Sequence, residues 1–410
     1  MITDAQTIWT TAIDAVRPER LLTEASIGDR LKQVVNGSDR IVVVGAGKAA
    51  AGMAAGVVTL LGADRLAQHR VTGLVSVPEG CGRHLEGIEV RETRPAGLNL
   101  PTPAVVRATE EIVHRVSSLT PRDVAIALIT GGGSALLAAP RPGVTLEEKI
   151  AATRRLSEGG ATIAELNAAR REMSLVKGGG LARACAAGRL IVLVLSDVIG
   201  NDLDVIASGP CMPTETATNG NWTTACGCRV EHLIVGSNAT AAHAAQAEAI
   251  RLGYTVMPAN IPAEATAEDV GRCLAEAGLA AVAATRHDGQ PRAIVSGGEA
   301  TVRVPADHGR GGRNQQTVLA AVHHVRQTAG GWPAGLVIAS VGTDGEDGPT
   351  DAAGAVANAA VVAAIDDQGL NVATALARCD AYPLLTAAGG LIHTGPTGTN
   401  VADVRIVLAK

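Results

Sequence analysis

Apolar residues in this chain come in unbroken runs rather than in alternation with polar ones. Residues 41–44 read Ile-Val-Val-Val, the run stops at Gly45-Ala46-Gly47, and an alanine-rich stretch follows from Lys48 to about Leu61. The same order of strand, glycine turn and helix recurs where residues 124–129 lead into Gly131-Gly132-Gly133-Ser134, and where 190–195 lead into Ser196-Asp197-Val198. It returns at 233–235 before Gly236-Ser237-Asn238 and at 336–338 before Gly342-Thr343-Asp344. Continuous apolar strands alternating with helical stretches predict parallel strands covered on both faces, because a face open to water would impose alternating polarity. The predicted fold class is α/β. In such sheets ligands gather at the carboxyl ends of the strands, which is where all of these turns fall.

At roughly 100–200 residues per domain, 410 residues suit two domains. No Pro/Ser linker marks a boundary. The stretch 210–227, opening Pro210-Cys211-Met212-Pro213, is polar and irregular, and a fresh strand and helix start near His232. The expected division is therefore 1–235 and 236–410, with the cleft between the two as the natural ligand site.

Composition narrows the function classes. A chain that is 47% hydrophobic and 18% charged, with 48 glycines, is neither disordered nor fibrous. A net charge of -5 offers no general attraction for nucleic acid or an anionic membrane, so an acidic ligand must be met by local cations. Lys48, Lys177, Arg310 and Arg313 stand out because each lies in or beside a glycine-rich stretch. Seven cysteines without a C-x-x-C pair indicate neither a disulfide framework nor a zinc ribbon, and Cys226, Cys228 and His232 match no standard zinc spacing. The N-terminus lacks a basic segment followed by a long apolar run, and no stretch approaches roughly 18 uncharged apolar residues, so a cytoplasmic location is expected. Phe is absent, which leaves an adenine ring to lie between aliphatic side chains.

The glycine turns carry the candidate chemistry. Gly45-Ala46-Gly47-Lys48-Ala49-Ala50 fits G-x-G-x-x-A after a strand, yet the acid that should end the second strand of a dinucleotide fold is missing: residues 71–77 end at Pro78. Lys48 instead adds charge where helix N–H groups already favour anions, the bland alternative being a solvated lysine at a tight turn. Gly131, Gly132 and Gly133 form a second cradle, with Ser134 as a hydrogen-bond donor, although no G-x-x-x-x-G-K-[ST] occurs. Asp197 follows a strand end, where it serves either to hold Mg²⁺ or accept a hydroxyl proton, or only to cap a helix. Arg310 and Arg313 sit among glycines just before a helical stretch, an unfavourable place for positive charge unless an anion compensates it. Asp344, Glu346, Asp347 and Asp351 crowd one loop that fails the calcium-loop pattern and is a candidate neighbour of Mg²⁺. Anion cradles, aimed cations and carboxylates together are what phosphoryl transfer requires. A nucleophilic triad is poorly supported, since no G-x-S-x-G occurs.

These residues resemble the class II glycerate 2-kinase family over nearly the whole chain, about 41–404. The likeness rests on GAGKAA at 45–50, TGGGSALL at 130–137, SLVKGGGLA at 174–182, SDVIGNDLDVIASGP at 196–210, SGGEATV at 296–302, GRGGRNQ at 309–315, GTDGEDGPTDAAGA at 342–355 and TGPTGTNVAD at 394–403. The resemblance implies transfer of the ATP γ-phosphate to the 2-hydroxyl of D-glycerate with Mg²⁺, in a Rossmann-like first domain and a second, distinct α/β domain of MOFRL type. It implies Lys48 and Arg313 as catalytic; the reading of the residues themselves adds Asp197 as catalytic, Ser134, Arg171 and Lys177 at the substrate, Gly45, Gly47, Gly131, Gly132, Gly133 and Arg310 at the nucleotide, and Asp197 and Asp344 as metal ligands. The chain departs from the family pattern at Asn201, Glu346 and Gln316, and at Arg171-Glu172, where a Lys-His pair is usual. Expected partners are ATP and a small hydroxy acid, with no nucleic acid and no membrane, and a homodimer is compatible with this reading. Three alternatives stay open: an NAD(P)H-dependent hydroxypyruvate reductase, a kinase for a related sugar acid, and a non-catalytic sensor of sugar acids.

Overall fold

The computed structural model describes residues 1–159, 163–212 and 221–410. Part of the irregular stretch after Pro210, residues 213–220, lies outside the described residues. The chain forms two compact units. One comprises Arg17–Ser237 with Gly398–Asn400, and the other Met1–Val16, Asn238–Thr397 and Val401–Lys410. The chain passes between them at Ser237 and Asn238, close to the expected division. The first sixteen residues differ from it, belonging to the unit built mainly from the C-terminal half.

The Arg17–Ser237 unit is built on a seven-stranded sheet of β1 (Ile41–Ala46), β2 (Thr72–Pro78), β3 (Ile88–Arg94), β4 (Val124–Thr130), β5 (Arg189–Leu195), β6 (Trp222–Thr223) and β7 (Arg229–Gly236), in the order β3-β2-β1-β4-β5-β7-β6. All neighbours pair in parallel except β6 with β7. Every residue of β1 and β4 is buried, as their unbroken apolar sequences require. The chain runs outward from β1 through β2 and β3 and returns to β4 on the other side of β1. This reversal opens a crevice beyond the carboxyl ends of β1 and β4.

The helix Ala50–Gln68 after β1 has the length and the mean hydropathy, 1.3, of a membrane-crossing helix, but it is not an uncharged run. Asp64 and Arg65 lie within it, and its helical geometry breaks at Gly62, where φ is 71°. Met53, Ala54, Val57 and Leu61 are buried along the length before the break.

The other unit holds a six-stranded sheet of β8 (Thr255–Val256), β9 (Arg292–Gly298), β10 (Leu336–Gly342), β11 (Gly354–Ala357), β12 (Leu391–Ile392) and β13 (Asp403–Ala409), ordered β12-β11-β10-β13-β9-β8. Here the parallel expectation for residues 336–338 fails. β10 pairs antiparallel with both β11 and β13. Its continuous apolar sequence has another cause: the helices Ala267–Asp288 and Arg313–Ala329 and the N-terminal helix Ile2–Ala15 all pack on β10, so both faces are buried whatever the strand direction.

Candidate functional site

The first glycine turn folds for packing as well as for chemistry. A Cβ at Gly45 would fall 2.5 Å from the Leu128 carbonyl oxygen, and one at Gly47, whose φ is +137°, would fall 2.6 Å from Thr130 Oγ1. Only glycine lets the end of β1 lie this close to β4. The N–H groups of this turn are taken up within the protein. Gly47 donates to Ser76 O at 3.2 Å, Lys48 to Gly131 O at 2.9 Å and Ala49 to Thr130 Oγ1 at 3.2 Å. Gly45 and Gly47, expected to cradle a nucleotide, therefore hold the turn against the Thr130-Gly131 strand end instead. What they present to the crevice is Lys48, half-buried, whose Cγ would lie 3.6 Å from a Cβ on Gly132.

The second turn brings the other predicted groups to the same place. A Cβ at Gly131 would collide with the Asp197 carboxylate and the Asn400 amide, so both side chains close directly over that backbone. Gly132, with φ of 77°, starts the short helix Gly133–Leu136 that carries Ser134. Ser134 Oγ lies 2.9 Å from Ser208 Oγ, which in turn donates to Asn167 Oδ1 at 2.9 Å. Ala207 and Ser208 both hold positive φ, 51° and 61°, an uncommon state for residues with a Cβ and one that clusters at functional sites.

Gly132, Ser134 and Asp197 line a cavity of about 420 Å³ together with Lys149, Arg170 and Lys177. Its apolar wall includes Leu100, Pro101, Ala135 and Ile150. Lys177 is 2% exposed and donates to Ala207 O at 2.9 Å, which gives the strained backbone at 207 a partner. Burial drives its pKa well below the ordinary lysine value, and the charges of Lys149 and Arg170 add to the effect. Lys149 is 4% exposed and is lowered to about 8 by burial and by Arg170. Of the expected substrate residues, Ser134 and Lys177 reach this cavity and Arg171 does not line it. Arg171 donates to Asp204 O at 2.8 Å, and its neighbour on the helix Ile163–Glu172, Arg170, faces the cavity in its place. One residue along a helix is a turn of about 100°, enough to send the two guanidinium groups to different surroundings.

The other unit holds a second constellation. Arg313 opens the helix Arg313–Ala329, and its Nε and Nη2 donate to the two Asp403 oxygens at 2.8 Å each. Burial opposes the charge on Arg313, but the charge and hydrogen bonds of Asp403 outweigh it and hold the guanidinium above its ordinary pKa. The fork expected to meet a phosphate thus meets Asp403, with Glu299 3.6 Å away. Asp347 accepts from the Asn314 and Gln315 N–H groups at 3.0 and 2.9 Å, capping the same helix, and burial raises it to about 6 despite those bonds. The anion demanded by positive charge at this helix start is supplied within the protein. Glu299, Gly312 and Arg313 border a cavity of about 500 Å³. Arg310 is not among its lining residues: it is exposed, stacks 4.3 Å from the Tyr382 ring centre and donates from Nε to Pro349 O.

Asp344 belongs to this unit and Asp197 to the other. Asp344 Oδ1 accepts from the Glu346 N–H at 3.0 Å, which closes its own turn. Among the described residues no group of three or more His, Cys, Asp or Glu is spaced to hold a metal ion by itself, the Cys226, Cys228 and His232 cluster included. A phosphate-bridged Mg²⁺ needs only one or two carboxylates, and Asp197 at the cavity wall fits that demand.

Comparison with known proteins agrees with this geometry. A family model described as a domain of unknown function, DUF4147, matches residues 4–235, and the MOFRL family model matches 292–403. Glycerate kinase from Homo sapiens is 34% identical, over 99% of this chain and 92% of its own length. D-glycerate 2-kinase from Thermotoga maritima is 32% identical, over 97% of this chain and 95% of its own. A crystal structure of glycerate kinase from Thermotoga maritima superposes with a TM-score of 0.83 at 31% identity, covering 100% of this chain and 99% of that one. Alike along nearly its whole length in sequence and in fold, the chain belongs to the glycerate kinase family, in which a DUF4147 domain precedes a MOFRL domain.

Proposed function

We propose that the protein transfers the γ-phosphate of ATP to the 2-hydroxyl of D-glycerate, giving 2-phosphoglycerate and ADP. The observation that carries this reading is that Ser134, Asp197 and Lys177 line one cavity with Gly132, and that Lys48 at the end of β1 packs beside that same glycine, where the sheet order reverses. Family membership supplies the substrates; the site supplies groups suited to them.

Phosphoryl transfer proceeds through a loose transition state, so the protein contributes position and charge more than covalent chemistry. Lys48 neutralises charge on the phosphate oxygens as it shifts toward the leaving group. Ser134 donates a hydrogen bond to the acid, and Lys177 provides a cation at the same wall. Arg313 is the residue of the MOFRL unit assigned to catalysis, held in one orientation by Asp403. Mg²⁺, held by Asp197 and the phosphates, would spread the negative charge that the transition state develops.

The hydroxypyruvate reductase alternative lacks its ribose-binding acid, since β2 ends at Pro78. The test is steady-state turnover of a panel of C3 and C4 hydroxy acids with ATP and Mg²⁺, beside NADH oxidation by hydroxypyruvate. ADP formation with D-glycerate is expected, and Lys48→Ala should lower kcat by about 10²-fold with the fold retained. A Lys48→Ala protein with near-normal kcat would remove Lys48 from the chemistry.

A further inference from the structure

Three cations from three separate elements meet in one cavity with little to neutralise them. Lys149 comes from the helix Leu146–Glu158, Arg170 from Ile163–Glu172, and Lys177 from the loop before Gly180–Ala184. Among the described residues, Lys149 Nζ donates to the Arg170 carbonyl at 3.4 Å and Lys177 Nζ to that of Ala207 at 2.9 Å. Arg170 donates to the Asn167 amide oxygen at 3.3 Å. None of these partners is charged, and among the described residues Asp197 is the one carboxylate that lines the cavity.

Bringing like charges together out of water is costly, and it persists in a fold where a ligand of opposite charge repays it. The lowered pKa values of Lys149, Arg170 and Lys177, all due first to burial, express that cost. An ammonium carries three N–H donors and a guanidinium five, so most donors of the cluster remain for a ligand. A lone carboxylate, with one charge and two oxygens, would satisfy a part of them. A phosphoryl group adds three oxygens and roughly -1.5 to -2 of charge. The cavity, at about 420 Å³, has room for a small acid carrying both.

Resting on the kinase reading above, we propose that Lys149, Arg170 and Lys177 form a subsite for the phosphorylated acid, engaging its carboxylate and phosphoryl group together, so that the protein binds 2-phosphoglycerate more tightly than D-glycerate. The cluster favours the product side of the reaction and makes product release sensitive to these three residues.

The test is calorimetric titration of the full chain, without nucleotide, by 2-phosphoglycerate, D-glycerate and inorganic phosphate, with ATP titrated separately. Tighter binding of 2-phosphoglycerate than of D-glycerate by about tenfold or more is expected, with inorganic phosphate competing against it. Arg170→Gln and Lys149→Met should each weaken 2-phosphoglycerate by about tenfold or more, leave ATP affinity within about twofold, and keep or raise the melting temperature, since each removes buried positive charge. The rise or retention of melting temperature separates lost binding from lost folding. Equal affinity for the two acids, or variants that bind 2-phosphoglycerate as the parent does, would overturn the inference even in an active kinase. A protein that turns over no glycerate yet binds the phosphorylated acid through these cations would uphold the subsite and overturn the kinase reading instead.

Discussion

Arg313 shows how one residue's neighbours in the sequence and its partners in the fold can differ. Its glycine-rich surroundings suggested a guanidinium waiting for phosphate, whereas the folded chain gives both of its parallel donors to Asp403. Lysine would keep the charge and lose that fork. Arg313→Lys is therefore expected to lower the melting temperature and, because the orientation of the cation is lost, to lower kcat by about tenfold or more with a smaller change in KM. Unchanged kcat beside a lowered melting temperature would make the Arg313–Asp403 pair structural only. Lys48 and Ser134 stood out at glycine turns after β1 and β4, Asp197 just after the end of β5, and Lys177 just before three glycines, and these are sequence features that mark a turn without saying what it binds. Lys149 and Arg170 did not stand out, since a basic residue on a polar helix reads as solvated, and nothing in one sequence says that two such helices turn those residues inward. Arg171 was named from its place before the SLVKGGG motif, and the helical phase puts Arg170 rather than Arg171 in the cavity wall.

At the scale of elements, the helix Arg313–Ala329 depends on Asp347, which is fully buried and satisfies two N–H groups at its start. Asp347→Ala leaves those donors without an acceptor, and a loss of about 2 kcal/mol or more in denaturant unfolding is expected. The sign of its pH dependence follows from the raised pKa. Between the ordinary 3.8 and about 6 the folded state binds the proton and the unfolded state does not, so this group's contribution to stability declines as pH rises through that window. The Asp347→Ala protein should lack that decline, and a parent whose stability rises with pH there no more and no less than the variant's would contradict the assignment. The strands β1, β4 and β5 were legible as buried apolar runs, whereas β7 runs parallel as expected but leaves Ile234 exposed. The direction of β10 was not legible, because an unbroken apolar run reports that both faces are covered and is silent on which way the neighbours point.

For the whole molecule, the division near residue 235 was readable from where the irregular stretch gives way to a new strand, but the place of the N-terminal helix was not. Ile2–Ala15 is an amphipathic helix whose apolar face would suit either sheet, and it packs on the C-terminal unit through Asn238–Arg251 and the β10–β13 region. Tyr254 fixes the same end by donating to Asp4 at 2.6 Å. As an enzyme, the chain would move a phosphoryl group to one particular hydroxyl. The most direct measurement is phosphorus NMR of the intact protein incubated with ATP, Mg²⁺ and D-glycerate. The account predicts ADP together with 2-phosphoglycerate, identified by coupling of its phosphorus to the proton on C2. Formation of 3-phosphoglycerate would contradict the assigned hydroxyl, and NADH oxidation by hydroxypyruvate with no ATP turnover on any hydroxy acid would contradict the account as a whole.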